Sequence, residues 1–111
     1  MSDYYAHEDL KKFGGIGRHA KPLADEFFKY YNAVTGTDGA LSRREKSLIA
    51  LAVAHAEKCP YCIDAYTTAC LETGANPEQM MEAVHVAAAM QAGITLVHSV
   101  QMQNHLDKLV L

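Results

Sequence analysis

Two cysteines three residues apart, Cys59 and Cys62, are the part of this chain best suited to chemistry. The thiolate is the nucleophilic form of cysteine, and the unpaired amides at a helix N-terminus favour it. In Cys59-Pro60-Tyr61-Cys62 the proline suits the first position of a helix, so Cys59 becomes the cap and both sulfurs fall in the first turn. Residues three apart on a helix share a face, within reach of a disulfide. The run therefore supplies an activated thiol and a resolving partner together. Two other readings stay open. Both cysteines could be small buried residues. A zinc site would need two more ligands, but there is no second C-x-x-C, and His55, His85 and His98 lack finger spacing. Cys70, eight residues after Cys62 and close to the same helical face, could be a third redox thiol, but reads better as a reduced core cysteine packing as a small hydrophobe.

A thiol that reduces a peroxide needs a base to form the thiolate and an acid for the leaving oxygen. Histidine suits both tasks near neutrality. His55 stands four residues before Cys59, one turn away if its helix continues, and is the first choice. His85, beside Val84, Val86 and Ala87, and His98, between Val97 and Val100, read as core histidines. Tyr61 and Tyr66 can donate hydrogen bonds to a peroxide or a thiolate, though a phenol with a pKa near 10 is a poor base. Glu45 is accounted for by a helix cap.

The elements that must position these residues are helices. A short helix is expected over His7 to Lys12, broken by Gly14, Gly15 and Gly17. The string Gly15-Ile16-Gly17-Arg18-His19-Ala20 fits a dinucleotide fingerprint on paper, but no apolar strand precedes it, so no nucleotide cofactor is expected. Pro22 opens the next helix, with Leu23, Phe27, Tyr30, Tyr31 and Val34 as its apolar stripe. Ser42 and Glu45 form a capping box for a third helix, which ends near Glu57 and Lys58. The fourth runs from the cysteines to about Thr73, with Gly74 as its stop. Asn76, Pro77 and Gln79 start a fifth. Gly93 is expected to bend or break it before a sixth, from Ile94 to about Lys108. The fold class is all-α, about six helices in one domain over residues 1–111, with 1–21 its least defined part.

Composition removes several function classes. With ten Lys and Arg against thirteen Asp and Glu, the chain carries a formal charge of −3 and lacks the basic face of a nucleic-acid binder. At 50% hydrophobic and 21% charged it has the balance of a chain that buries a core. No apolar run reads as a membrane span, because Ala83 to Val100 carries His85, Gln91 and His98 and is interrupted by Gly93. The polar, acidic start is unlike a signal peptide, which makes the cytoplasm the expected location. Met80, Met81, Met90 and Met102 lie within or beside the apolar stripes of the last helices, where core packing and a subunit interface are both reasonable uses.

Three segments carry a resemblance: Leu41-Ser42-Arg43-Arg44-Glu45-Lys46, Leu48 to His55, and Cys59-Pro60-Tyr61-Cys62-Ile63-Asp64-Ala65. Across about residues 22 to 110 the chain resembles the AhpD-like, or carboxymuconolactone decarboxylase, family. It looks closest to the subgroup called arsenosugar biosynthesis-associated peroxidase-like proteins. The resemblance implies an all-helical subunit that assembles into homo-trimers or hexamers. It implies reduction of a small-molecule hydroperoxide through the cysteine pair, with electrons supplied by a disulfide-reducing protein partner. It makes Cys62 the peroxidatic residue and Cys59 the resolving one, and Tyr61 matches the tyrosine between them. Two positions depart from the family's proton relay: Tyr66 stands where a histidine is expected, and Ser47 where a glutamate is. The alternative is a non-redox scaffold or small-ligand-binding protein of the same fold with structural cysteines.

Overall fold

The computed structural model describes residues 6–110. A 3₁₀ segment, His7–His19, is followed by five α-helices: α1 Lys21–Thr35, α2 Arg43–Ala56, α3 Pro60–Glu72, α4 Pro77–Val97 and α5 Ser99–Val110. Among the described residues there is no strand, so the chain is all-α.

The helix starts follow from local chemistry. The Ser42 hydroxyl accepts from the Glu45 amide, and the Glu45 carboxylate accepts from the Ser42 amide at 2.8 Å. These contacts hold the Glu45 carboxyl below its usual range. Asn76 and Gln79 repeat the reciprocal pair at α4. At α3 the cap is a sulfur: Cys59 Sγ accepts from the Cys62 amide, and Pro60 supplies the first residue. Thr73 closes α3, and Gly74 turns the chain at φ 95°, a left-handed conformation that glycine adopts without a side-chain clash.

The small core lies where α2 meets α3 and the start of α4. Leu51, Cys70 and Ala75 are buried there, with Leu48, Tyr66 and Met80 packed around them. Cys70 is 0% exposed and behaves as a core residue. Ser47 is also buried.

Two expectations for the chain's ends need correction. The glycines at 14, 15 and 17 do not interrupt the first helical segment, which continues to His19. Tertiary contact overrides their weak propensity. Phe13 packs edge-on against Phe28 with ring centroids 5.0 Å apart, and also meets Phe27 and Tyr31. A Cβ on Gly17 would stand 2.6 Å from the Ala24 Cβ, so the segment reaches α1 at a point where only glycine fits without a shift.

Gly93 does not break α4 either; the helix runs through it to Val97. The interruption comes at His98, where side chains compete for backbone carbonyls. His98 Nδ1 lies 2.6 Å from the Ile94 carbonyl, and the Ser99 hydroxyl donates to the Leu96 carbonyl. His85 and His98 are both exposed, not core residues. The pair α4–α5 is thus almost one rod, and 33 residues from Pro77 to Leu109 span about 50 Å. By length and composition that rod could cross a membrane, contrary to the expectation from an interruption at Gly93. Core helices of soluble proteins pass the same test when they are mostly buried, whereas this rod is unburied in the single chain.

The rod leaves much apolar surface uncovered. Val86, Met90, Ile94, Val97 and Val100 are all half or more exposed, or close to it. Of the methionines on α4 and α5, Met80 packs on the core while Met81, Met90 and Met102 face outward. The radius of gyration is 18.9 Å, against about 13 Å for a compact domain of this length.

Candidate active site

Both cysteines of the pair lie in the first turn of α3, half-buried and free. Their sulfurs are 2.6 Å apart. They open on a cavity of about 350 Å3 lined almost wholly by apolar atoms. One wall is α3 itself, through Cys59, Tyr61, Cys62, Ala65 and Tyr66. Spacing of three and four along a helix puts Ala65 and Tyr66 one turn beyond Cys62 on the same face. Tyr31 enters from α1. The remaining wall is the 3₁₀ segment, with Leu10, Phe13 and Ile16 over the cavity and Asp9 and Lys12 at its edge. Lys12 and Asp9 form an exposed ion pair at 2.9 Å, and the Asp9 carboxylate raises the Lys12 amine above its usual range.

The phenols of Tyr31 and Tyr66, both in the lining, are hydrogen-bonded to each other. The Tyr31 ring is held by Phe27, at a centroid distance of 5.4 Å, and by Phe13 at 6.0 Å. Burial, then the bond to Tyr66, raises the Tyr31 phenol far above its ordinary range, so it stays protonated and can donate.

The helix terminus does not serve Cys62 as the sequence implies. The amide of Cys62 donates to the Cys59 sulfur at 3.3 Å. Burial, and then the contact with Cys59, pushes the Cys62 thiol up to about 11. At pH 7 it therefore holds about a hundredfold less thiolate than a cysteine at the ordinary 9.0. A raised value favours the neutral thiol, so alkylation of Cys62 by iodoacetamide should be slow at pH 7. Its rate should climb about tenfold per pH unit toward pH 11. A rate already level below about pH 8 would contradict this.

Of the five residues singled out from sequence, the structure gathers Cys59, Cys62, Tyr61 and Tyr66 around one cavity, and leaves His55 outside its lining. The assumed continuity of α2 is the reason. That helix ends at Ala56, and Lys58 takes a left-handed φ of 55° before Cys59 begins the next element. His55 Nδ1 lies 2.9 Å from the Leu51 carbonyl one turn back along its own helix. Tyr31, read from sequence only as part of an apolar stripe, is at the site instead. Nothing local marks it, since its partner Tyr66 lies 35 residues away. For metals, the described residues hold no group of three or more His, Cys, Asp or Glu side chains able to share an ion.

An all-α domain whose paired cysteines open a helix onto an apolar cavity is the class these features define. The chain belongs to the carboxymuconolactone decarboxylase family, which it matches over residues 22–103. It is 42% identical over 85 residues, 77% of each chain, to a Paracoccus denitrificans protein described as "Uncharacterized protein 4 in cox locus". It is 28% identical over 99 residues to an uncharacterized protein of Cupriavidus necator, covering 89% of this chain and 87% of the relative.

Proposed function

We propose that this protein is an AhpD-like thiol peroxidase that reduces hydroperoxides through Cys59 and Cys62. The observation that carries the reading is the close pair of sulfurs on the wall of a half-open apolar cavity with phenols beside them. The Cys62 sulfur attacks the peroxide, a sulfur–oxygen bond forms as the O–O bond breaks, and the products are a sulfenic acid and an alcohol. The Cys59 sulfur then displaces water from the sulfenic acid, giving a disulfide. A dithiol protein partner returns two electrons and two protons by exchange. The cycle suits a reducing compartment, the cytoplasm, and requires no cofactor. His55, held on α2 by its contact with the Leu51 carbonyl, is left without a part in it.

We also propose that the working form is a homo-oligomer, a trimer or hexamer, in which further copies cover the apolar rod of α4–α5. The exposed Val86, Met90, Ile94 and Val97 support this. A continuous apolar surface on that scale marks an interface.

Intact mass after one equivalent of an alkyl hydroperoxide tests the catalytic reading. The fully reduced chain should lose two hydrogens per subunit within minutes, and a supplied disulfide reductase should turn that into steady consumption of NADPH. A chain that stays reduced would favour the scaffold reading, in which the cysteines are structural.

A further inference from the structure

We propose that Tyr31 and Tyr66 act as one proton relay between the Cys62 thiol and the leaving oxygen of the peroxide. The inference rests on the peroxidase reading and extends it to a residue from another helix.

Two needs of the reaction meet at this place. The attacking sulfur must lose a proton, and the departing oxygen must gain one. Among the described side chains no histidine lines the cavity, so none of the described imidazoles performs both tasks there. Two phenols do line it, from two different helices, joined by a hydrogen bond. Together they carry two O–H protons, and their mutual bond uses only one. The second remains for the cavity, because among the described residues neither hydroxyl has another hydrogen-bond partner. Tyr66 stands one turn from Cys62 on the same face of α3, and the Tyr31 phenol is close enough to feel the charge of both cysteines. Phe13 and Phe27 hold the Tyr31 ring in place.

A phenol too weakly acidic to ionise at neutral pH still relays a proton, accepting one on oxygen while passing its own onward. The thiol proton therefore moves to one phenol, a proton crosses the Tyr–Tyr hydrogen bond, and the second phenol protonates the leaving alkoxide. The sulfur–oxygen bond forms and the O–O bond breaks in the same step. One thiol and one hydroperoxide give one sulfenic acid and one alcohol, with no proton left over. No phenoxide needs to accumulate, consistent with the burial that disfavours it at Tyr31. A half-buried thiol that is protonated at neutral pH gains most from such a path.

The test compares two oxidants on the intact chain. With tert-butyl hydroperoxide the leaving group is a strongly basic alkoxide that needs a proton. With peracetic acid it is acetate, which leaves without one. Tyr31→Phe keeps the ring and its aromatic neighbours and removes only the hydroxyl. Disulfide formation with tert-butyl hydroperoxide should slow by about 10²-fold, whereas with peracetic acid, where only the thiol proton has to move through the relay, the rate should fall by about tenfold or less. Tyr66→Phe should behave alike, and the double variant should be no slower than either single one, because the two groups act as a unit. Equal losses with both oxidants would mean that Tyr31 only shapes the cavity, and no loss with either would mean that it is not involved. Both results overturn the relay and leave the peroxidase reading standing. A wild-type chain that tert-butyl hydroperoxide does not convert to the disulfide would overturn the peroxidase reading and the relay with it, whatever peracetic acid does.

Discussion

Cys62→Ser should abolish peroxide-driven oxidation, lowering its rate by on the order of 10³-fold or more, because a serine hydroxyl cannot replace the sulfur that accepts oxygen. Cys59→Ser should behave differently. The first step needs only the attacking sulfur, so the variant should consume one equivalent of hydroperoxide and stop at the sulfenic acid. Dimedone would trap that species, and excess peroxide would drive it on to the sulfinic acid. The disulfide should be absent from both variants. The asymmetry assigns the roles: if dimedone labels Cys59 in the Cys62→Ser variant instead, Cys59 is the attacking residue. The structure makes this a real contest. Both sulfurs line the cavity, and the helix-terminal amide donates to Cys59. Against that, Cys62 has Tyr66 one turn further along its own face.

Ile94→Asp is expected to have the second large effect, on assembly. Ile94 is 49% exposed in the single chain, where a surface substitution of this kind would change stability by about 0.5 kcal/mol or less. In an oligomer that buries α4, the same carboxylate would be an unpaired charge in an apolar interface. The cost there is roughly 3–5 kcal/mol, equivalent to a loss of association by a factor of about 10²–10⁴. Light scattering after gel filtration should therefore give at least three chains per particle for the wild type and a smaller particle for the variant. A wild-type chain that runs as a monomer in buffer would remove the oligomer. If that monomer also floats with neutral lipid vesicles, the uncovered rod is lipid-facing.

The two capping boxes, the Pro60 start and the Gly74 stop were legible in the sequence because each depends on residues within four positions of one another. The cysteine pair and Tyr66 were legible for the same reason, all three lying on one helix. The other two walls of the cavity come from elsewhere in the chain. Phe13 and Ile16 sit in a glycine-rich segment whose composition reads as a turn, and only their packing against α1 and α3 gives the segment its shape. Tyr31 has the spacing of any apolar stripe residue, and its hydroxyl acquires meaning only opposite Tyr66. His55 was misplaced by a single dihedral: the left-handed turn at Lys58 separates it from the helix that begins at Cys59. Gly93 was overread, since one glycine costs a helix only about 1 kcal/mol and the helix carries on.

Cys70 gives the molecule a built-in reporter of its own opening. Its sulfur is sealed between α2, α3 and the start of α4, and burial holds it in the protonated form. Small thiol reagents reach it only when that packing separates. In the proposed cycle the oxidant is spent on the two cavity cysteines, which leaves the third thiol reduced as a silent count. The speed at which it becomes modifiable measures how often the domain breathes.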